Sequence, residues 1–163
     1  MGKIVKNGFD FVAYANAGLI RKVDDIPELK ERLITLSEPK THVEMSRYAV
    51  LLGEHILSVS GIERSAAIEE CLVINAKWQN KEAKFQAARD AAGVMHRLAR
   101  EEKSPLKAKT LRAMGQVAVT PHVKWHALVA SEYAVVIINL LCPGDMAAVR
   151  KERETQIELL NRV

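Results

Sequence analysis

The stretch Ala127–Cys142 constrains this chain more than any other part of it. Its residues are almost all apolar, broken only by Ser131, Glu132 and Asn139. It is too short for the roughly 20 residues that cross a bilayer. An apolar helix of this length belongs in a protein interior. The rest of the composition fits helical neighbours: eight glycines and five prolines in 163 residues are too few for the closely spaced turns of a β-sandwich or barrel. With 48% hydrophobic and 27% charged residues, the chain has the balance of a folded domain rather than a disordered tract.

Helix boundaries are written in local signals. Thr41 and Glu44 have the spacing of a capping box, and Met45, Ala49, Leu52, Ile56 and Val59 then form one apolar stripe, ending at Ser60-Gly61. A second helix is expected from Ile62 to about Trp78, with Ile68, Leu72, Val73 and Ala76 inward and Glu63, Arg64, Glu69, Glu70 and Lys77 outward. After a turn at Asn80, a third from about Lys81 to Lys103 turns Ala88, Ala91, Ala92, Met95 and Leu98 to the core. Ser104-Pro105 opens a fourth, ending near Val119, because serine caps and proline lacks only an N–H that would be unpaired there. Thr120-Pro121 reads as the same device, starting a fifth helix that runs through Trp125 and Tyr133 to Leu141. Cys142-Pro143-Gly144 stops it.

Asp145 caps a last helix through Leu160, with Met146, Val149, Ile157 and Leu160 as a thin apolar stripe. Arg150, Lys151, Glu152, Arg153, Glu154 and Glu158 form its charged surface. Pro27–Leu36 reads as one short helix. Phe9, Phe11 and Tyr14 fit a helix, a short strand pair or an anchored arm. The expected fold is an all-α, irregular or orthogonal bundle of five core helices from Thr41 to Leu141, with a peripheral C-terminal helix. The whole of 1–163 is expected to be one helical domain.

The net charge is +4, and the excess concentrates in 104–142, where Lys107, Lys109, Arg112 and Lys124 face a single acid, Glu132. No aromatic interleaving or long basic run accompanies them, so no specific nucleic-acid site is expected. Cys71 and Cys142 have neither metal-ligand nor disulfide-framework spacing, which suits a reducing cytoplasm. No secretory signal is indicated, since Asn7, Asp10 and Asn16 interrupt the N-terminal stretch.

The densest polar constellation is Gln116, Thr120, His122, Trp125 and His126. Histidines four apart on one helix project from one face and can chelate a metal. The zinc-protease pattern fails because Val123 follows His122, and no histidine has a glutamate three residues before it for a di-iron site. The plainer reading is structural: Thr120 as an N-cap, Gln116 as a buried amide, Trp125 and Tyr133 as core aromatics. No nucleophile stands out, because a thiol such as Cys71 next to Glu70 in a helix is deactivated. The A-x3-G-x5-V spacing of Ala49, Gly53 and Val59 matches a helix-turn-helix, but Glu54–Val59 is too short and acidic at its start for a recognition helix.

The run Leu111-Arg112-Ala113-Met114-Gly115-Gln116-Val117-Ala118-Val119-Thr120-Pro121-His122-Val123-Lys124-Trp125-His126-Ala127-Leu128, followed by Glu132-Tyr133-Ala134, resembles the signature of the immunity proteins of bacterial polymorphic-toxin systems. Arg47-Tyr48-Ala49, Glu54-His55-Ile56-Leu57, Trp78 and Ala88-Arg89 are similar to other positions of that family. The resemblance spans about 41–141, with no counterpart placed for 1–40 or 144–163. It implies a non-catalytic cytoplasmic protein that binds and neutralises a cognate toxin protein. It implies no cofactor and no membrane, leaves a homodimer open, and makes Gln116, Thr120, His122, Trp125, His126 and Tyr133 candidate binding residues. The alternative is a small helical metal- or ligand-binding protein, or an enzyme, using His122 and His126.

Overall fold

The computed structural model describes residues 5–6, 9–10 and 23–163. The described residues form seven helices: α1 (Pro27–Ser37), α2 (His42–Ser60), α3 (Ala66–Gln79), α4 (Phe85–Glu101), α5 (Pro105–Val119), α6 (His126–Leu141) and α7 (Met146–Asn161). Near the N-terminus, β1 (Val5–Lys6) and β2 (Phe9–Asp10) pair antiparallel, with Val5 opposite Asp10. Phe9 thus falls in a short strand pair, while Phe11 and Tyr14 lie outside the described residues. The fold is an all-α bundle, and α2 to α6 are the five helices expected between Thr41 and Leu141.

The expected apolar helix is its centre. Every residue of α6 from Ala127 to Ile138 is buried, and the helix packs against α2, α5 and α7. α5 in turn touches α2, α3, α4 and α6, so α2, α5 and α6 form the spine. At Gly53, α2 comes so close to α3 and α5 that a Cβ would lie 3.0 Å from Leu72 Cδ2 and 3.3 Å from Met114 Cε. One helix runs straight through Gly53, so the helix-turn-helix spacing marks a packing contact.

Most boundaries follow the local chemistry. Thr41 and Glu44 form the reciprocal capping box, and Gly61 ends α2 in the left-handed conformation. Ser104 accepts the Lys107 N–H at the head of α5, and Asp145 accepts the Ala148 N–H at the head of α7. Two helices differ from expectation at their ends. α3 starts at Ala66 rather than Ile62, because Ser65 supplies the cap by accepting the Ile68 N–H. α4 spans Phe85–Glu101 rather than Lys81–Lys103, since Lys81 takes positive φ and ends the preceding turn.

Facing is shifted in the same two helices. On α3, Cys71, Ile74 and Asn75 are buried where Val73 is half-buried and Ala76 exposed. On α4, Ala99 rather than Leu98 reaches the core, and Leu98 is exposed. In both cases the neighbouring helices select a stripe one residue away from the one that hydropathy alone favours.

The larger correction concerns α7. Glu152 and Arg153, assigned from sequence to a charged surface, are buried, whereas Met146 is exposed. Arg153, wholly buried, donates through Nε and Nη2 to the two oxygens of Asp25 at 2.9 and 2.6 Å, and through Nη2 to Glu132 Oε1 at 2.9 Å. Its Nη1 donates to Gln156 Oε1, and Gln156 Nε2 donates to the Ser131 carbonyl and to Glu152 Oε1. Lys30 reaches the other Glu132 oxygen at 3.2 Å, and His55 Nε2 lies 2.6 Å from Glu152 Oε2. A buried ion is tolerated only when its charge and its hydrogen-bonding capacity are both met, and this lattice meets them by drawing α1, α2 and α7 onto Glu132 and Ser131 of α6. Burial alone would raise the Asp25 carboxyl, but the Arg153 guanidinium overrides it and holds Asp25 below the usual carboxylate range.

Candidate functional site

The candidate residues gather where α5 gives way to α6. Thr120 is not an N-cap: its backbone is right-handed helical, φ −53° and ψ −36°, and it stands at the C-terminus of α5. An N-cap needs extended backbone to aim its oxygen at the next turn; here the Thr120 hydroxyl instead donates back to the Gln116 carbonyl at 2.9 Å. Residues 121–125 form turns, and α6 begins only at His126, with Trp125 before it offering no side-chain cap. His122 and His126 therefore do not share a helical face.

Hydrogen-bond accounting explains why the chain turns there. The last carbonyls of a helix have no partners within it and must find others. Pro121 lacks the N–H that would continue the helix to the Val117 carbonyl, and the buried Asn75 side chain fills that place, its Nδ2 donating at 2.9 Å. The Val119 carbonyl accepts from the His122 and Val123 N–H groups. His42 Nε2 donates to the Thr120 carbonyl at 2.7 Å, its ring tilted against Trp78. Four elements thus converge on one helix end.

The two histidines of the signature meet different surroundings. His126 Nδ1 lies 2.7 Å from Oε1 of the buried Gln116, so its proton sits on Nδ1 and is donated to the amide. Burial, reinforced by the nearby His122 and His96, lowers the His126 pKa to about 4, which leaves the ring neutral at pH 7. His122 is exposed and stacks on Phe85 at the head of α4, ring centres 5.3 Å apart. Trp125 is buried, with Lys124 Nζ 4.7 Å from its ring centre and donating to the Lys40 carbonyl. Tyr133, also buried, lies two turns further along α6, roughly 10 Å away by helix rise, with Lys109 Nζ 5.9 Å from its ring centre. Hydrogen bonds thus join Gln116 to Thr120 and to half-buried His126, Trp125 is buried, His122 is left on the surface, and Tyr133 is set apart.

Sequence reasoning passed over His96. Its ring lies flat against Gly115, where a Cβ would approach Cε1 to 2.9 Å, and its buried Nδ1 has no hydrogen-bond partner among the described residues. Burial, together with Arg112 and Arg100, lowers its pKa. The glycine of the signature run is the trace of this contact, since a glycine inside a helix costs stability unless something must lie close. Asn75 was missed as well; the proline four residues after Val117 was the signal that a carbonyl there needed a side-chain donor.

Little in this arrangement suits covalent or metal chemistry. Among the described residues, no three His, Cys, Asp or Glu side chains gather to hold a metal ion. Burial and the nearby Glu70 push the Cys71 thiol up to about 12, far from a nucleophilic thiolate. Of the basic residues on α5, Lys107 pairs with Glu102 at 3.3 Å and Lys109 lies by Tyr133. No helix among the described residues is long and apolar enough to cross a membrane.

The polar residues of the signature run thus hold the α5–α6 junction, and the His122 imidazole stays exposed beside it. Residues 35–163 match the family described as Imm-5 like putative immunity protein, and the chain belongs to that family. The match runs through α7 to the last residue, beyond Leu141, where the sequence resemblance ended; 144–163 therefore do have a counterpart. No curated protein and no solved structure matches the chain.

Proposed function

We propose that this protein is a non-catalytic, cytoplasmic immunity protein that binds a cognate toxin protein and blocks it by covering the toxin's site or a surface beside it. The observation that carries the reading is family membership over 35–163. The geometry agrees with it: the exposed His122–Phe85 stack is a polar-tipped aromatic ledge of the kind enriched at protein interfaces. Behind it, Gln116 bonds Thr120 and His126, Trp125 is buried, and Lys109 of α5 lies over Tyr133 of α6. No cofactor enters.

The test is expression of the adjacent gene with and without this one, together with a pull-down of its purified product. Rescue from toxicity and a stable complex are expected. If the neighbouring product is harmless and does not bind, the reading is wrong. The competing use of His122 and His126 for a metal, a ligand or catalysis predicts stoichiometric metal or bound ligand in protein purified without a histidine tag.

A further inference from the structure

Among the described residues three glycines stand inside helices, and two of them have a reason in the fold. Gly53 lets α2 approach α3 and α5, and Gly115 makes room for the His96 ring. Gly93, in the middle of α4, is different. It is exposed, its backbone is not in the positive-φ region, and a Cβ built on it would meet no heavy atom within 4 Å. Alanine would fit without strain and would favour the helix. Nothing among the described residues explains a glycine there.

The surroundings of Gly93 supply a reason. At helical spacing, Gln86, Arg89, Gly93, Arg97 and Arg100 follow one another along a single face, and all five are exposed. Arg89, Arg97 and Arg100 form no ion pair or side-chain hydrogen bond with any described residue. Asp90 and, four residues after Arg97, the exposed Glu101 flank this stripe on α4. At the head of the same helix, Phe85 stacks on the exposed His122 of the α5–α6 junction. Arginines presented in a row around a bare stretch of backbone match a partner that carries carboxylates and comes close enough to touch the helix itself.

Resting on the toxin-binding reading above, we propose that this face of α4 is where the toxin docks. An acidic segment of the toxin packs its backbone or small side chains against Gly93, while Arg89, Arg97 and Arg100 hold its carboxylates. Complementary charge between this stripe and an acidic segment speeds docking and fixes its register.

The test measures the affinity of the purified adjacent-gene toxin for four forms: the parent, Gly93→Ala, Gly93→Leu, and the triple Arg89→Ala, Arg97→Ala, Arg100→Ala variant. Thermal melts accompany each. Gly93→Ala is expected to raise the melting temperature by about 1–4 °C and yet weaken the complex, and Gly93→Leu to weaken it at least tenfold with folding intact. The triple variant should fold normally, lose at least tenfold in affinity and show a flatter salt dependence. Full affinity in Gly93→Leu, with the parent binding normally, overturns this inference alone. A parent that binds no toxin overturns it together with the toxin reading. Self-association of the parent that Gly93→Leu abolishes assigns the stripe to a second copy of the chain and overturns the toxin assignment.

Discussion

Two polar regions of this bundle lie on the same central helix and solve the problem of burial in opposite ways. Around Glu132, charge is buried and answered with charge: Arg153 is wholly enclosed, and Asp25, Glu132 and Gln156 between them occupy all its nitrogens. At the start of α6, burial is answered with neutral groups. His126 is uncharged and bound to an amide, the open carbonyls of α5 take donors from Asn75, His42 and Thr120, and the His122 imidazole stays exposed. A fully satisfied lattice has nothing left to offer a partner. The junction does: its exposed His122 stacks on Phe85 at the head of α4.

If that contrast is real, the lattice should fail hardest. Arg153→Ala leaves half-buried Asp25 without its cation and buried Glu132 with Lys30 alone, and is expected to cost about 3–5 kcal/mol, read as a large fall in the urea midpoint. Retention of parental stability would mean that the lattice relaxes into water and is not the rigid element described here.

The next effect depends on pH and separates the two regions by window. His126 has a folded pKa of about 4 against 6.5 unfolded. The unfolded chain therefore takes up the proton first, and stability present above pH 6.5 is lost as pH falls toward 4, by up to about 3 kcal/mol. A His126→Gln chain should lack that slope. Asp25 is depressed instead, so its contribution is present above the ordinary carboxylate pKa and disappears only as pH falls further. Urea titrations of parent and His126→Gln from about pH 7.5 down to about pH 2 should show the two stages, and identical profiles would contradict the neutral-junction account.

A smaller loss is expected from Asn75→Ala, which strips the Val117 carbonyl of its donor beside Pro121: about 1–3 kcal/mol, with the far-ultraviolet spectrum unchanged. His122→Ala should be the mildest, within about 0.5 kcal/mol, as for an exposed side chain outside the core. It should nevertheless reduce toxin binding, whereas a stability loss as large as that of Asn75→Ala would place His122 in the structural network.

How far each region was readable follows from the range of the interactions involved. Caps and stripes are decided within a few residues, so the capping box at Thr41, Ser104-Pro105, Asp145 and the apolar α6 could be found by spacing alone. Thr120-Pro121 has the composition of Ser104-Pro105, yet ends a helix where the other begins one, because Asn75 and His42 from distant helices satisfy the carbonyls exposed by the turn. Glu132 offered a hint: one carboxylate in an apolar helix requires a buried cation. Which cation, out of the charged run in α7, depends on the rotation of that helix against α6.

The amino-acid sequence by itself determined that this chain is helical, where most of its helices start and stop, and which one lies at the centre, since hydropathy period and capping chemistry act locally. Only the tertiary structure decided that Arg153 belongs inside, that His122 and His126 part company, and that a Cβ on Gly93, unlike one on Gly53 or Gly115, would meet no close neighbour among the described residues. Those outcomes depend on contacts between helices far apart in the chain, and helix packing sets them within a single residue's rotation.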